Sequence, residues 1–296
     1  MSNYLQTSKQ YKGFHYSVLP HESFDYLHRR TFEIFKQIKA VFDQNKIRYM
    51  ICGGTLLGAA TTGKFIPWDD DFDMCVFEED YDRAVDLLIE KMSEDVLVQC
   101  KKTESRYFHG WVKVRDVNSK IYPATESYAN NGVWVDLYKL TASKEKDVPY
   151  KIAKEHLAYL KRRLAAGDIN KKEYKKRIAA ANIYKRIFRE FVKSLFSRQS
   201  DDVYIIWSAS KIILKKDWVF PLAKCTFEGE EVTTFNSSEK YLAAHYGKDF
   251  RILPAEELRR IGINKVEILR GGVHKYSIFY IPLGKQRRAF GSYRIA

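Results

Sequence analysis

The sequence predicts an α/β fold of the α+β kind, a mixed sheet flanked by helices with a basic helical hairpin inserted in it. Three observations carry that expectation. Amphipathic helical stripes alternate with short β-branched and aromatic runs, a glycine pair joins one apolar run to a helix start, and one segment differs sharply from the rest in charge.

The first helical stripe spans Ser23 to about Asn45, where Leu27, Ile34, Ile38 and Val41 recur at helical spacing between charged residues. His21 and His28 are too far apart for an i, i+4 metal pair, so they read as surface or packing residues. Tyr49 to Cys52 is a short apolar strand ending at Gly53-Gly54, and Thr55 with Leu56 to Ala60 reads as the helix that follows. A strand, a glycine turn and a helix start make an anion seat, because glycine admits close backbone approach and the first helical amides are unpaired donors. Tyr81, Ala84, Val85, Leu88 and Met92 form a second amphipathic stripe. Val96 to Gln99, Tyr107 to Arg115 and Gly132 to Tyr138 read as further strands that complete one mixed sheet.

The chemistry concentrates between Gly53 and Asp73, in GGTLLGAATTGKFIPWDDDFD. Asp71-Phe72-Asp73-Met74 alternates as a strand does, so Asp71 and Asp73 share a face. Two carboxylates side by side repel; one takes up a proton unless a cation lies between them. With no nearby His or Cys, the all-oxygen set suits Mg²⁺ or Mn²⁺ rather than Zn²⁺. Asp69 and Asp70, just after Pro67, fit a turn equally well. Asp136 is a single carboxylate embedded in the apolar strand Val133 to Leu137, where an unpaired charge is costly. Either a metal shared with Asp71 and Asp73 or a buried salt bridge with Lys113 or Arg115 resolves that cost. Lys113 and Arg115 alternate with Val112 and Val114, so both face either bound phosphates or solvent, and His109 shares their parity. Gly58 to Lys64 fits the first seven positions of a P-loop, but Phe65 stands where a metal-binding hydroxyl belongs and Pro67 interrupts the helix that should follow. That motif is rejected.

Gly53-Gly54-Thr55-Leu56-Leu57-Gly58, followed by Gly63-Lys64-Phe65-Ile66-Pro67-Trp68-Asp69-Asp70-Asp71-Phe72-Asp73, resembles the signature of the LicD phosphocholine transferase family, to which the fukutin-related transferases are similar. Lys113 to Asp116, Gly132 to Leu137, Phe227-Glu228-Gly229 and Tyr241-Leu242 through Tyr246-Gly247 resemble its later blocks. The resemblance implies a nucleotidyltransferase-like fold, with Asp71, Asp73 and Asp136 as metal ligands and Gly53, Gly54, Thr55, Lys113 and Arg115 at the donor. It implies transfer of phosphocholine, or a related phospho-substituent, from a CDP-choline-like donor to a glycan hydroxyl of the teichoic acid or lipopolysaccharide kind, with CMP leaving. Asp69 or Asp136 would then accept the hydroxyl proton. Other uses of an Asp-x-Asp site, nucleotidyl transfer or glycosyl transfer from a nucleotide sugar, remain open at this point. A basic nucleic-acid-binding adaptor is the non-enzymatic alternative, and it gives the carboxylates no task.

With 296 residues, 45% hydrophobic and 30% charged, the chain can bury a full core. No stretch approaches the roughly 20 apolar residues of a membrane span, and the start lacks a signal-peptide core, so a cytoplasmic protein is expected, at most peripheral to the inner membrane face. Cys52, Cys75, Cys100 and Cys225 show no CxxC spacing and read as free thiols. Between Lys144 and Arg198, seventeen Lys and Arg face six Asp and Glu, which accounts for most of the net +14. Ile152, Leu157, Leu160 and Leu164 form one apolar stripe there, and Tyr174, Ile178, Ala181, Tyr184, Ile187 and Phe191 another, with a turn at Gly167 to Asn170. The organisation expected is a catalytic core over 1–143, a basic helical insertion over 144–198 and the remainder of the catalytic domain with a tail over 199–296. The insertion suits an anionic acceptor, a lipid-linked glycan or an anionic membrane surface better than nucleic acid. Trp218 to Pro221 and Glu231 to Phe235 read as short strands, and Ser238 to His245 as a helix closing at Gly247.

Overall fold

Strand β8 (Trp134–Lys144) organises the molecule. In this computed structural model, which describes residues 8–11, 14–17, 21–122, 130–179, 181–182, 201–252 and 265–268, β8 is long enough to serve three neighbours. Along one edge it runs parallel to β4 (Phe72–Phe77). Its other edge is shared: the first half pairs antiparallel with β6 (Val112–Asp116) and the second half with β9 (Asp202–Ile206). The sheet extends from β4 to β3 (Tyr49–Ile51), from β6 to β5 (Val96–Gln99) and from β9 to β10 (Ile212–Lys215), giving seven strands. Two-stranded ribbons β1 (Ser8–Tyr11) with β2 (Phe14–Ser17), β7 (Ser119–Tyr122) with β13 (Lys265–Ile268), and β11 (Ala223–Phe227) with β12 (Glu230–Thr234) complete the strands.

The two amphipathic stripes are helices α1 (His21–Gln44) and α3 (Glu78–Lys91). Leu27, Ile34, Ile38 and Val41 of α1 are buried, as are Tyr81, Ala84, Val85 and Leu88 of α3, while Met92 packs at the core's edge. Strand alternation sends Phe72, Met74, Val112, Val114, Val135 and Leu137 into the core. There Phe35 stacks on Phe72 with ring centroids 4.3 Å apart, and the Tyr81 hydroxyl donates to the Leu137 carbonyl at 2.9 Å. The opposite parity, carrying Asp73, Lys113 and Asp136, is thereby left for polar chemistry. Helix α2 (Gly53–Thr61) packs against β4, and α7 (Ser238–Tyr246) packs against α2.

Some elements differ from expectation. Only Val112–Asp116 of the run beginning at Tyr107 is strand; Tyr107 and Phe108 instead form an apolar cluster with Ala166, and Arg162 donates to the Phe108 carbonyl at 2.9 Å, which holds this stretch off the sheet. Residues 218–219 belong to a short helix, α6 (Lys216–Val219), rather than a strand. Proline at 221 cannot donate to a ladder, and the Val219 carbonyl is taken by the Asn236 amide. Strand β8 starts two residues later than predicted and runs six further, because Val203 to Ile206 supply a second partner. Beyond a 3-10 turn (Glu145–Asp147), the basic segment forms α4 (Val148–Ala165) and α5 (residues 171–179), turning at Gly167 with φ +75°. Tyr184, Ile187 and Phe191 lie outside the described residues, as does the tail beyond 268. No helix among the described residues is long and apolar enough to cross a membrane.

Candidate active site

Pairing register assembles the site. Asp73 of β4 and Asp136 of β8 are direct partners in the parallel pair, and Lys113 of β6 is the partner of Asp136 on its other side. Register partners present their side chains to the same face, so the three form a row across adjacent strands. Asp71, just before β4, joins them: one carboxylate oxygen from each of Asp71, Asp73 and Asp136 lies within 4.8 Å of the others. Asp71 also groups with Asp69 and Asp70.

The loop carrying these acids is pinned from both sides. His28 of α1 stacks on Phe65 at 4.4 Å and its Nε2 lies 2.9 Å from the Asp69 carbonyl. Glu228, in the β11–β12 turn, accepts from the Phe65 amide at 2.9 Å and donates its own amide to the Gly63 carbonyl at 2.8 Å. The glycine pair makes room for carboxylates. Gly53 has φ +55°, and a Cβ there would collide with Asp73 Oδ2; one on Gly54 would lie 2.6 Å from Asp69 Oδ2. Their amides are engaged within the protein: Gly53 donates to the Tyr241 hydroxyl at 2.8 Å and Gly54 to Asp73 Oδ2 at 3.1 Å. Thr55 Oγ1 accepts from the Asp73 amide at 2.8 Å.

Asp136 is almost fully buried and ringed by donors. Trp111 Nε1 reaches its Oδ1 at 2.9 Å, Trp134 Nε1 its Oδ2 at 3.0 Å, and Lys113 Nζ both oxygens at 3.0 and 3.2 Å. The salt bridge with Lys113 is therefore formed in the same residue that approaches Asp71 and Asp73. Arg115 turns elsewhere: it is buried, donating to Gln99 Oε1 at 2.7 Å and to the Gly132 carbonyl at 2.8 Å. His109 rests against Trp111, with ring centroids 4.6 Å apart.

The Tyr138 hydroxyl spans two acids, 3.0 Å from Asp73 Oδ1 and 3.2 Å from Asp136 Oδ2. One phenolic proton serves one acceptor, so keeping both contacts requires a further proton on a carboxyl. Desolvation, then the charge of Asp136, pushes Asp73 up to about 7. Desolvation followed by neighbouring aspartates also raises Asp71 and Asp69 well above the usual carboxylate range. Asp69 Oδ2 is buried with no hydrogen-bond partner among the described residues. The all-oxygen cluster of Asp71, Asp73 and Asp136, whose acids repel one another when ionised, has the donor chemistry to hold Mg²⁺ or Mn²⁺.

Sequence reasoning overlooked Trp111, Trp134, Tyr138 and Tyr241. The first three share strand parity with Lys113 and Asp136, a signal available in Trp111-Val112-Lys113 and Trp134-Val135-Asp136-Leu137-Tyr138. Tyr241 lies in one of the late blocks noted above, but its contact with Gly53 has no local signature.

Residues 46–167 match the profile of the LicD/FKTN/FKRP nucleotidyltransferase domain. The chain is also similar to the lipopolysaccharide cholinephosphotransferase LicD of Haemophilus influenzae, at 24% identity over 264 residues, covering 80% of this chain and 94% of that protein. The matched region contains the glycine pair, the aspartate loop, Lys113 and Asp136, so the similarity to that nucleotidyltransferase domain falls on the residues that build the site.

Proposed function

We propose that this protein transfers phosphocholine from CDP-choline to a hydroxyl of a cell-surface glycan, releasing CMP. The observation that carries this reading is the cluster of Asp71, Asp73 and Asp136, the last two register partners, inside a region that matches the LicD-type domain, in a chain similar to a lipopolysaccharide cholinephosphotransferase. A Mg²⁺ or Mn²⁺ ion held by these three residues would offset negative charge on the phosphate oxygens and on the leaving group.

The chain's own residues supply placement and proton handling. The acceptor oxygen forms a bond to the choline-side phosphorus while the bond from that phosphorus to the oxygen retained by CMP breaks in line. Asp69 is suited to take the hydroxyl proton: its Oδ2 is unpartnered and burial raises its proton affinity. Asp136 is less suited, since its oxygens already accept from Trp111, Lys113 and Trp134. The basic segment 144–198 lies outside this chemistry, and we assign it to holding an anionic acceptor or a lipid-linked glycan at the inner membrane face.

Incubation with Mg²⁺ and CDP-choline, alongside CDP-linked polyols and a glycan acceptor, tests the reading by product. CMP and a phosphocholine-bearing glycan are expected. Pyrophosphate release from a nucleoside triphosphate would indicate nucleotidyl transfer, and release of a nucleoside diphosphate from a nucleotide sugar would indicate glycosyl transfer; either outcome without CMP release overturns it.

A further inference from the structure

We propose that Lys113 is a positioning residue that acts as an internal counter-ion, competing with the divalent cation for Asp136 and thereby setting the ion affinity of the cluster. This rests on the divalent-ion reading above.

A carboxylate offers about four lone-pair sites, and Trp111, Trp134 and both arms of the Lys113 interaction fill those of Asp136 even before the Tyr138 contact is counted. No acceptor capacity is left over. An ion that takes Asp136 as a ligand must therefore displace a donor. The indoles sit on rigid rings and Tyr138 is tied to Asp73. Lys113 is the donor on a flexible stem, and it is the one that an incoming cation repels. Its ammonium is caged, with side chains of Lys113 and Asp136 only 7% and 4% exposed, and it lies 4.2 Å from the Trp134 ring and 6.0 Å from that of Trp111. These aromatic faces can hold the ammonium after it releases Asp136.

The charge balance gives the lysine a second consequence. Asp71, Asp73 and Asp136, when ionised, exceed one divalent ion by one negative charge, and the ammonium offsets that excess, which lessens repulsion of an anionic donor. Without the ammonium the loaded cluster keeps a net negative charge. Lys113 thus weakens ion binding and favours donor binding, a pair of opposed effects that a merely structural lysine would not produce.

Calorimetric titration of the full chain with Mn²⁺, without donor, tests this on the wild type, Lys113→Met, Asp136→Asn and the double variant. Lys113→Met is expected to bind Mn²⁺ about tenfold or more tightly, a shift of one unit in log affinity. In the Asp136→Asn background the lysine substitution should have no further effect. The melting temperature of Lys113→Met should fall in chelator and recover with Mn²⁺, and its KM for the donor should rise. Unchanged or weaker Mn²⁺ binding by Lys113→Met, or a variant that stays unfolded with Mn²⁺ present, overturns the inference. Failure of the wild type to bind Mn²⁺ or Mg²⁺ would instead remove the ion reading on which it rests.

Discussion

Asp73 and Asp136 face each other across the parallel strands β4 and β8, and the single hydroxyl of Tyr138 spans them. Backbone pairing fixes the two acids side by side on adjacent strands. Their repulsion is built into the ladder, and the proton or cation that relieves it becomes part of the structure's stability.

Removing one charge tests this directly. Asp71→Asn and Asp73→Asn should each lower transfer by about a hundredfold or more, the scale on which preorganised electrostatic groups act. Their melting temperatures in chelator should hold or rise, because each relieves repulsion. Near-normal turnover of either variant at saturating Mg²⁺ would rule out the metal site.

The same repulsion dictates a pH dependence. Asp73 binds its proton more tightly folded, with a pKa of about 7, than in the unfolded chain, where the ordinary carboxylate value near 3.8 applies. Between those values the folded state holds more protons than the unfolded one, so stability falls as pH rises. This contribution is fully present below about pH 4 and is lost as pH climbs through about 7. Asp71 and Asp69, raised in the same direction, add to the trend. Denaturant titrations in chelator across this window should show the decline, and Mg²⁺ should flatten it; stability that instead increases with pH in chelator, after subtraction of the Asp73→Asn profile, contradicts it.

Tyr241 offers a test of how the site is braced. Replacing it with Phe strips the Gly53 amide of its acceptor in a buried setting, at a cost of about 1–3 kcal/mol. Gly53→Ala should be worse, since the new Cβ meets Asp73 at a positive φ. Chemical denaturation should rank stability as wild type, then Tyr241→Phe, then Gly53→Ala.

The basic segment gives a salt-sensitive prediction. Lys171, Lys172, Lys175 and Lys176 are all exposed along α5. Changing all four to Gln should raise KM for a natural acceptor at low salt and leave donor hydrolysis nearly unchanged. The difference should shrink as salt rises, because the screening length is about 10 Å at 0.1 M. Equal KM values at low salt would mean that these charges are only solvated.

The helices and most core strands were legible because burial on one side leaves a period, as in Leu27, Ile34 and Ile38 or in Phe72 and Met74. The carboxylates could likewise be placed on their strands. Their meeting depends on the parallel pairing of β4 with β8, a long-range choice that no local period encodes. Nor does any local pattern anticipate that Tyr241 reaches Gly53 across 188 positions. At Tyr107 and Phe108 β propensity was overridden by packing on the segment around Ala166, and at Trp218 by the arrival of Pro221.

Lys144 and Asp202 are register partners, and their side chains form an ion pair at 2.7 Å. The polypeptide between them therefore departs from and returns to the ladder at a single rung. Its length is decoupled from the alignment of Asp73 with Asp136, since doubling a flexible closed loop costs only about 0.6 kcal/mol in closure entropy. A change of length beyond the helix that packs on Tyr107 and Phe108 can be absorbed at that rung, so grafting there would test whether the excursion sets acceptor preference without redesign of the transfer chemistry.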